Sequence, residues 1–79
     1  MNTNERIGIW LQEKRIEKGY SQQQVADMLG VSRIAVSYWE NGKRTIYAAN
    51  LIEYCKVLAL GREDLDELIN ELLPTKRKK

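Results

Sequence analysis

Arg33, Ile34, Ser37, Tyr38 and Asn41 fall within one arc of about 140° if the segment that holds them turns by about 100° per residue. The arc combines a guanidinium, hydroxyls and an amide with one aliphatic and one aromatic surface. Ala35, Val36 and Trp39 take the opposite side. Lys43 and Arg44 follow at once and add two cations. This set suits recognition. A planar guanidinium donates two parallel hydrogen bonds to a paired acceptor edge such as that of guanine. Ile34 and Tyr38 can meet thymine methyls or sugar edges, and the cations after the arc can meet phosphates.

The means of bond-breaking chemistry are missing from the sequence. It has no histidine, no paired carboxylates placed in a cleft, no nucleophile with a base and no phosphate-cradling glycine loop, so an enzyme is not expected. Cys55 stands alone, which excludes an intramolecular disulfide, and no Cys/His zinc site can form. No cofactor, metal or small-molecule ligand is expected. No apolar run approaches the roughly 20 residues that span a bilayer, and the start of the chain lacks a signal pattern, so the expectation is a cytoplasmic protein without membrane contact. The net charge is only +2, but it is unevenly spread. Residues 1–45 carry seven basic and five acidic groups, residues 46–73 two and six, and residues 74–79 four and none. Local clustering, rather than the total, bears on a polyanionic partner.

Five helical segments must position the arc, and nothing in the sequence alternates like a strand. The fold expected is all-α, a compact five-helix bundle. Helix 1 starts with Thr3 or Asn4 as its cap and ends at Gly19. Ser21-Gln22-Gln23-Gln24 is a capping box that opens helix 2, which Gly30 stops. Ser32 caps helix 3, which runs to about Glu40 and ends at Asn41-Gly42. Helix 4 is expected over Tyr47 to Leu58, and helix 5 over Glu63 to Leu73, stopped by Pro74. Ala26 is small where helix 2 crosses helix 3, Gly30 suits the tight turn between them, and Val36 closes the wedge. Two short helices held this way can press helix 3 into a major groove about 12 Å wide.

The stretch 21–42, SQQQVADMLGVSRIAVSYWENG, resembles the helix-turn-helix of the lambdoid phage repressor and Cro family, which includes many bacterial XRE-type regulators. The likeness extends upstream through Arg15 and Gly19, and downstream through Lys43, Arg44 and Leu51. It implies a helix-turn-helix domain over residues 1–74 with a basic C-terminal tail at 75–79. It implies double-stranded DNA as the partner, bound at a palindromic operator by a homodimer, with helix 3 (residues 32–40) in the major groove. Arg33, Ile34, Ser37 and Tyr38 then face bases. Ser21, Gln22, Asn41, Lys43 and Arg44 reach phosphates, with Gln22 also bracing the first recognition residue. Arg15 and Glu40 match a pair that ties helix 1 to helix 3. One departure is the loop before helix 4, where the family often has Pro and a Ser or Thr cap and this chain has Ile46-Tyr47.

Helix 5 carries Leu65, Leu68, Ile69 and Leu72 at i, i+3, i+4 and i+7, an apolar stripe among acidic residues. It can close the monomer core over helices 1 and 4 or pair two copies, and pairing is the expectation. Cys55, with Leu51, Ile52 and Leu58 on the apolar side of helix 4, is expected as a buried small hydrophobe. Ile9 and Ile16 lie opposite the inward stripe Ile7, Trp10 and Leu11, as exposed aliphatics or as a partner site. The tail Lys76-Arg77-Lys78-Lys79 is either solvated or a non-specific phosphate clamp. Two functions fit these residues. One is a repressor-like transcriptional regulator, whether phage repressor, Cro-like protein or restriction–modification controller. The other is an antitoxin-type module that neutralises a toxin and autoregulates its operon.

Overall fold

In the computed structural model, which describes residues 1–72, most helix boundaries are set by a local hydrogen-bonding device. Helix α1 (Thr3–Glu17) is capped by Asn2: its side chain accepts from the Glu5 N–H at 2.8 Å, and the Glu5 carboxylate accepts from the Asn2 N–H at 3.0 Å. The cap expected at Thr3 or Asn4 is therefore corrected to Asn2. The reason is reciprocity, since Asn2 alone of the three has a glutamate three residues on. Helix α2 (Gln22–Leu29) opens on the Ser21–Gln24 capping box and ends on Gly30 at φ +72°. Helix α3 (Arg33–Asn41) is capped by Ser32, whose hydroxyl accepts from the Ala35 N–H at 3.1 Å, and ends on Gly42 at φ +76°. Helix α4 (Ala48–Val57) is one residue shorter at each end than expected, and Tyr47 caps it without a side-chain hydrogen bond. Helix α5 (Arg62–Leu72) starts one residue early, with Asp64 accepting from the Gly61 N–H at 3.1 Å. The stop at Leu73-Pro74 and the basic tail at 75–79 lie outside the described residues.

Helix α3 is packed between α1 and α2, while α4 rests on α2 and α5 on α1. Leu11, Val25, Ala26, Val36, Tyr54 and Leu58 are almost wholly buried, and Trp39 meets the Tyr54 ring edge-on at 6.5 Å between centroids. The inward side of α3 is thus Ala35, Val36 and Trp39, with Leu29 and Val31 packed against the same core. Gly8 makes the α1–α3 approach. A Cβ built there would lie 2.4 Å from the Glu40 carbonyl oxygen and 2.5 Å from that of Trp39. Backbone touches backbone at that crossing, so only glycine fits.

Helix α5 is tied to α1 by polar contacts as well as by its buried Leu68. Lys14 Nζ lies 2.8 Å from Glu67 and 3.1 Å from Asp64, the Trp10 indole donates to Glu67 at 3.3 Å, and Arg6 donates to the Glu71 carbonyl at 3.1 Å. The apolar stripe of α5 divides: Leu68 is buried in the monomer core and Leu72 packs partly on it, whereas Leu65 and Ile69 are 39% and 52% exposed. On α4, Cys55 and Leu58 are buried and Leu51 partly so. Ile52 is 58% exposed, which corrects its expected place on the buried side. It sits three residues before Cys55 and flanks the inward face of α4 instead of lying on it. Ile9 and Ile16 are exposed, with the inward stripe Trp10 and Leu11 buried beneath them.

Candidate nucleic-acid interface

Helix α3 presents its polar arc to solvent. Arg33 and Asn41 are exposed at its two ends, Ile34 is 53% exposed, and Ser37 is half-buried between them, accepting from the Asn41 amide at 3.3 Å. The turn that follows folds back onto the helix. The Lys43 and Arg44 N–H groups both donate to the Tyr38 carbonyl, at 2.9 and 3.3 Å. Their charged ends come over the Tyr38 ring, with the Arg44 guanidinium 5.2 Å and the Lys43 ammonium 6.0 Å from its centroid. A cation over an aromatic face is held by the ring quadrupole. Tyr38 therefore gathers two positive charges at the exit of α3, beside Asn41. At the other edge, Ser21 uses its backbone N–H and its hydroxyl oxygen in the capping box, with Gln24. Its hydroxyl hydrogen remains for another acceptor.

Beneath the exposed arc lies a buried carboxylate. The Glu40 side chain is wholly inaccessible, and Arg15 reaches it with Nε to Oε2 at 2.8 Å and Nη2 to Oε1 at 3.0 Å, a bidentate pair. Arg15 spends its third nitrogen on the Tyr20 carbonyl at 2.8 Å. The Gln22 amide donates to Glu40 Oε1 at 3.0 Å, and the Tyr54 hydroxyl donates to Oε2. The pair with Glu40 raises the Arg15 pKa, while burial first, and the bond to Glu40 second, push that of the Tyr54 phenol up. Both groups hold their protons at neutral pH. Arg33 completes the set from outside, donating to Gln22 Oε1 at 3.4 Å. Among the described residues no buried side-chain nitrogen or oxygen lacks a partner.

The structure thus brings Arg33, Gln22, Glu40 and Arg15 into one connected group and gathers Tyr38, Lys43 and Arg44 into another. Leu65 and Ile69 stand apart from both. Tyr54 and Gly8 were missed by sequence reasoning. Gly8 carried a usable signal, being a glycine inside a helical pattern with no end nearby; Tyr54 carried none that separates it from a plain core aromatic.

An apolar groove of about 230 Å³ lies between α4 and α5, lined by Leu51, Ile52, Cys55, Lys56, Leu60 and Leu65. Burial pushes the Cys55 thiol up, which keeps it protonated. Among the described residues no helix is long and apolar enough to cross a membrane, and no group of three or more His, Cys, Asp or Glu side chains could hold a metal ion.

Known proteins resemble this chain in sequence or in fold. A prophage-derived HTH-type transcriptional regulator of Bacillus subtilis, YonR, is 32% identical over 75 residues, covering 82% of this chain and 69% of the relative. The crystal structure of a point mutant of the restriction–modification controller protein C.Esp1396I superposes with a TM-score of 0.81 at 23% identity, over 96% of this chain and 100% of that one, which shows the shared fold. The helix-turn-helix family profile matches residues 11–65, the span from the middle of α1 through the exposed arc of α3 into α5, and the chain accordingly belongs to the XRE-type helix-turn-helix family of DNA-binding regulators.

Proposed function

We propose that this protein is a repressor-like regulator that reads double-stranded DNA with α3 in the major groove. The observation that carries this reading is the exposed arc of α3 ending in a cation cluster. Arg33 stands where a guanidinium can address a guanine edge, with Ile34 beside it for methyl contact and Ser37 for either strand's hydrogen bonds. Lys43, Arg44, Asn41, Ser21 and Gln22 flank that line on both sides and suit phosphates. Tyr38 contributes chiefly by holding Lys43 and Arg44 in place, with its exposed edge left for a sugar or base. The names of the prophage regulator and of the restriction–modification controller favour a transcriptional role over toxin neutralisation.

A palindromic operator and a homodimer belong to the same proposal. One recognition helix covers few base pairs, and two related by a two-fold axis would sit about 34 Å apart on one DNA turn. The exposed Leu65 and Ile69, continuous with Ile52 and the α4–α5 groove, offer the apolar surface for the second copy. Leu68 and the inward part of Leu72 belong to the monomer core instead.

The test begins with a duplex selected by the protein from a randomised pool. Changing Lys43 or Arg44 to Ala should weaken binding to every sequence and lower the salt slope of log affinity by about 0.9 for each phosphate no longer neutralised. Arg33→Ala should instead cost about 1–3 kcal/mol and relax preference at one base pair. Equal losses on selected and random DNA for Arg33→Ala would reject base reading. Sedimentation equilibrium at ~100 µM, well above the micromolar dissociation constant of an interaction worth about −8 kcal/mol, should show a dimer that Ile69→Glu disrupts. A folded monomer in the wild type would remove the second copy from the proposal.

A further inference from the structure

The Glu40 carboxylate is saturated. Two oxygens offer about four acceptor sites, and each is taken: Oε2 by Arg15 Nε and the Tyr54 hydroxyl, Oε1 by Arg15 Nη2 and the Gln22 amide. Each donor comes from a different helix, Arg15 from α1, Gln22 from α2 and Tyr54 from α4, while Glu40 itself belongs to the recognition helix. Gln22 is then oriented by elimination. A carboxylate only accepts and a guanidinium only donates, so the amide nitrogen must face Glu40 and the amide oxygen must face Arg33. The distances agree, at 3.0 Å inward and 3.4 Å outward. One nitrogen of Arg33 is held, and the rest of its fork is free to point at a base. The second Gln22 amide hydrogen remains for a phosphate.

We propose that Tyr54, through the buried Glu40 carboxylate and Gln22, is a positioning residue that sets where Arg33 stands and so contributes to sequence discrimination. The proposal rests on Arg33 reading a base. Tyr54 itself is fully buried on α4 and cannot touch DNA. Loss of its hydroxyl leaves one acceptor site of an inaccessible carboxylate empty. The carboxylate then reorients among its remaining donors, Gln22 follows it, and Arg33 loses its fixed partner. Coupling between residues in one hydrogen-bond network amounts to about 0.5–3 kcal/mol, or roughly twofold to more than a hundredfold in an equilibrium constant. Tyr54 stands three links from Arg33 and four from the base, so the low end applies, about threefold.

The experiment compares affinity for the selected duplex with affinity for the same duplex altered at the base pair whose preference Arg33→Ala abolishes. The ratio is measured for wild type, Tyr54→Phe, Arg33→Ala and the double variant, below the melting transition of each. Tyr54→Phe should lower the ratio about threefold, leave the salt slope on random duplex unchanged because Gln22 is uncharged, and have no further effect in the Arg33→Ala background. A core role alone lowers the melting temperature and leaves the ratio where it was, which would overturn the proposal. So would an equal effect of Tyr54→Phe with and without Arg33. If Arg33→Ala alters no base preference, base reading by Arg33 fails first and this inference falls with it. Gln22→Met, which keeps length and removes both amide bonds at a more accessible link, gives the relay a second reading should Tyr54→Phe not stay folded. An unchanged ratio in Gln22→Met also overturns the proposal.

Discussion

Gly8→Ala puts the packing of the recognition helix to a test in which two effects have opposite signs. Helix propensity alone favours the change by about 0.5–1 kcal/mol, since glycine in a helix interior loses more backbone freedom than alanine. The structure opposes it. The new Cβ would lie 2.4 Å from the Glu40 carbonyl oxygen, and ordinary contact begins near 3.4 Å, so α1 must retreat by about 1 Å. The obstacles are main-chain atoms of α3, so no side chain can swing aside. Overpacking of this kind costs typically 1–3 kcal/mol, and a backbone obstacle puts it at the upper end. The retreat also stretches the Arg15–Glu40 pair, which spans the same two helices at 2.8 Å. The net expectation is a loss of about 2 kcal/mol, or roughly 8–16 °C in Tm at 4–8 °C per kcal/mol for a domain of this size. Thermal melts followed by circular dichroism measure it. An unchanged or raised Tm would show that α1 and α3 are not in backbone contact, and would refute the reasoning.

Ala59 follows α4 at φ +56°, the one non-glycine residue with positive φ among those described. A left-handed conformation costs an L-residue roughly 1–2 kcal/mol. Ala59→Gly should therefore raise stability by about 1 kcal/mol in a urea melt with unchanged slope, and no gain would mean that the turn is already relaxed. The ties between α1 and α5 predict a loss of stability in acid. The Gly61 N–H and Lys14 hold the Asp64 carboxyl below its ordinary range, and Lys14 and the Trp10 indole do the same for Glu67. Groups whose folded pKa is depressed contribute stability that is present above the ordinary carboxylate range near pH 4 and is lost as pH falls through the folded values. Both carboxylates are partly exposed, so the effect is small and salt weakens it. Lys14→Met should flatten the decline between pH 5 and pH 2; an acid profile identical to the wild type's would sink the assignment.

What the sequence revealed of the fold was what short-range rules govern. Ser21 and Gln24, Ser32, Gly30 and Gly42 sit within four residues of the backbone groups they satisfy, and the boundaries of α2 and α3 follow from them. The same rule, applied one residue earlier, selects Asn2 and Glu5 for α1. Helix α4 was harder because Tyr47 makes no side-chain cap, so its start depends on packing. Periodicity sorted the two sides of α3 correctly because that helix is strongly amphipathic. It failed for Ile52, since an apolar residue at the edge of a stripe looks the same whether it faces the core or a groove.

The candidate site divides along the same line. Its outer residues are legible because a polar arc on a short amphipathic helix, followed by two cations, is a pattern contained in a dozen residues. Its supports are not. Glu40 meets Arg15 across 25 residues, Gln22 across 18 and Tyr54 across 14, and Lys14 meets Glu67 across 53. No periodicity joins such positions. The Arg15–Glu40 pair is expected from the resemblance and from opposite charges on two helices that must pack, not from spacing. What remains is a constraint of valence: a glutamate buried at the end of a recognition helix must find about four donors, and one arginine supplies only two to it. Two further donors had therefore to come from the neighbouring helices. Gln22 on α2 and Tyr54 on α4 supply them, and the bond from Arg33 to Gln22 joins this buried set to the exposed start of α3.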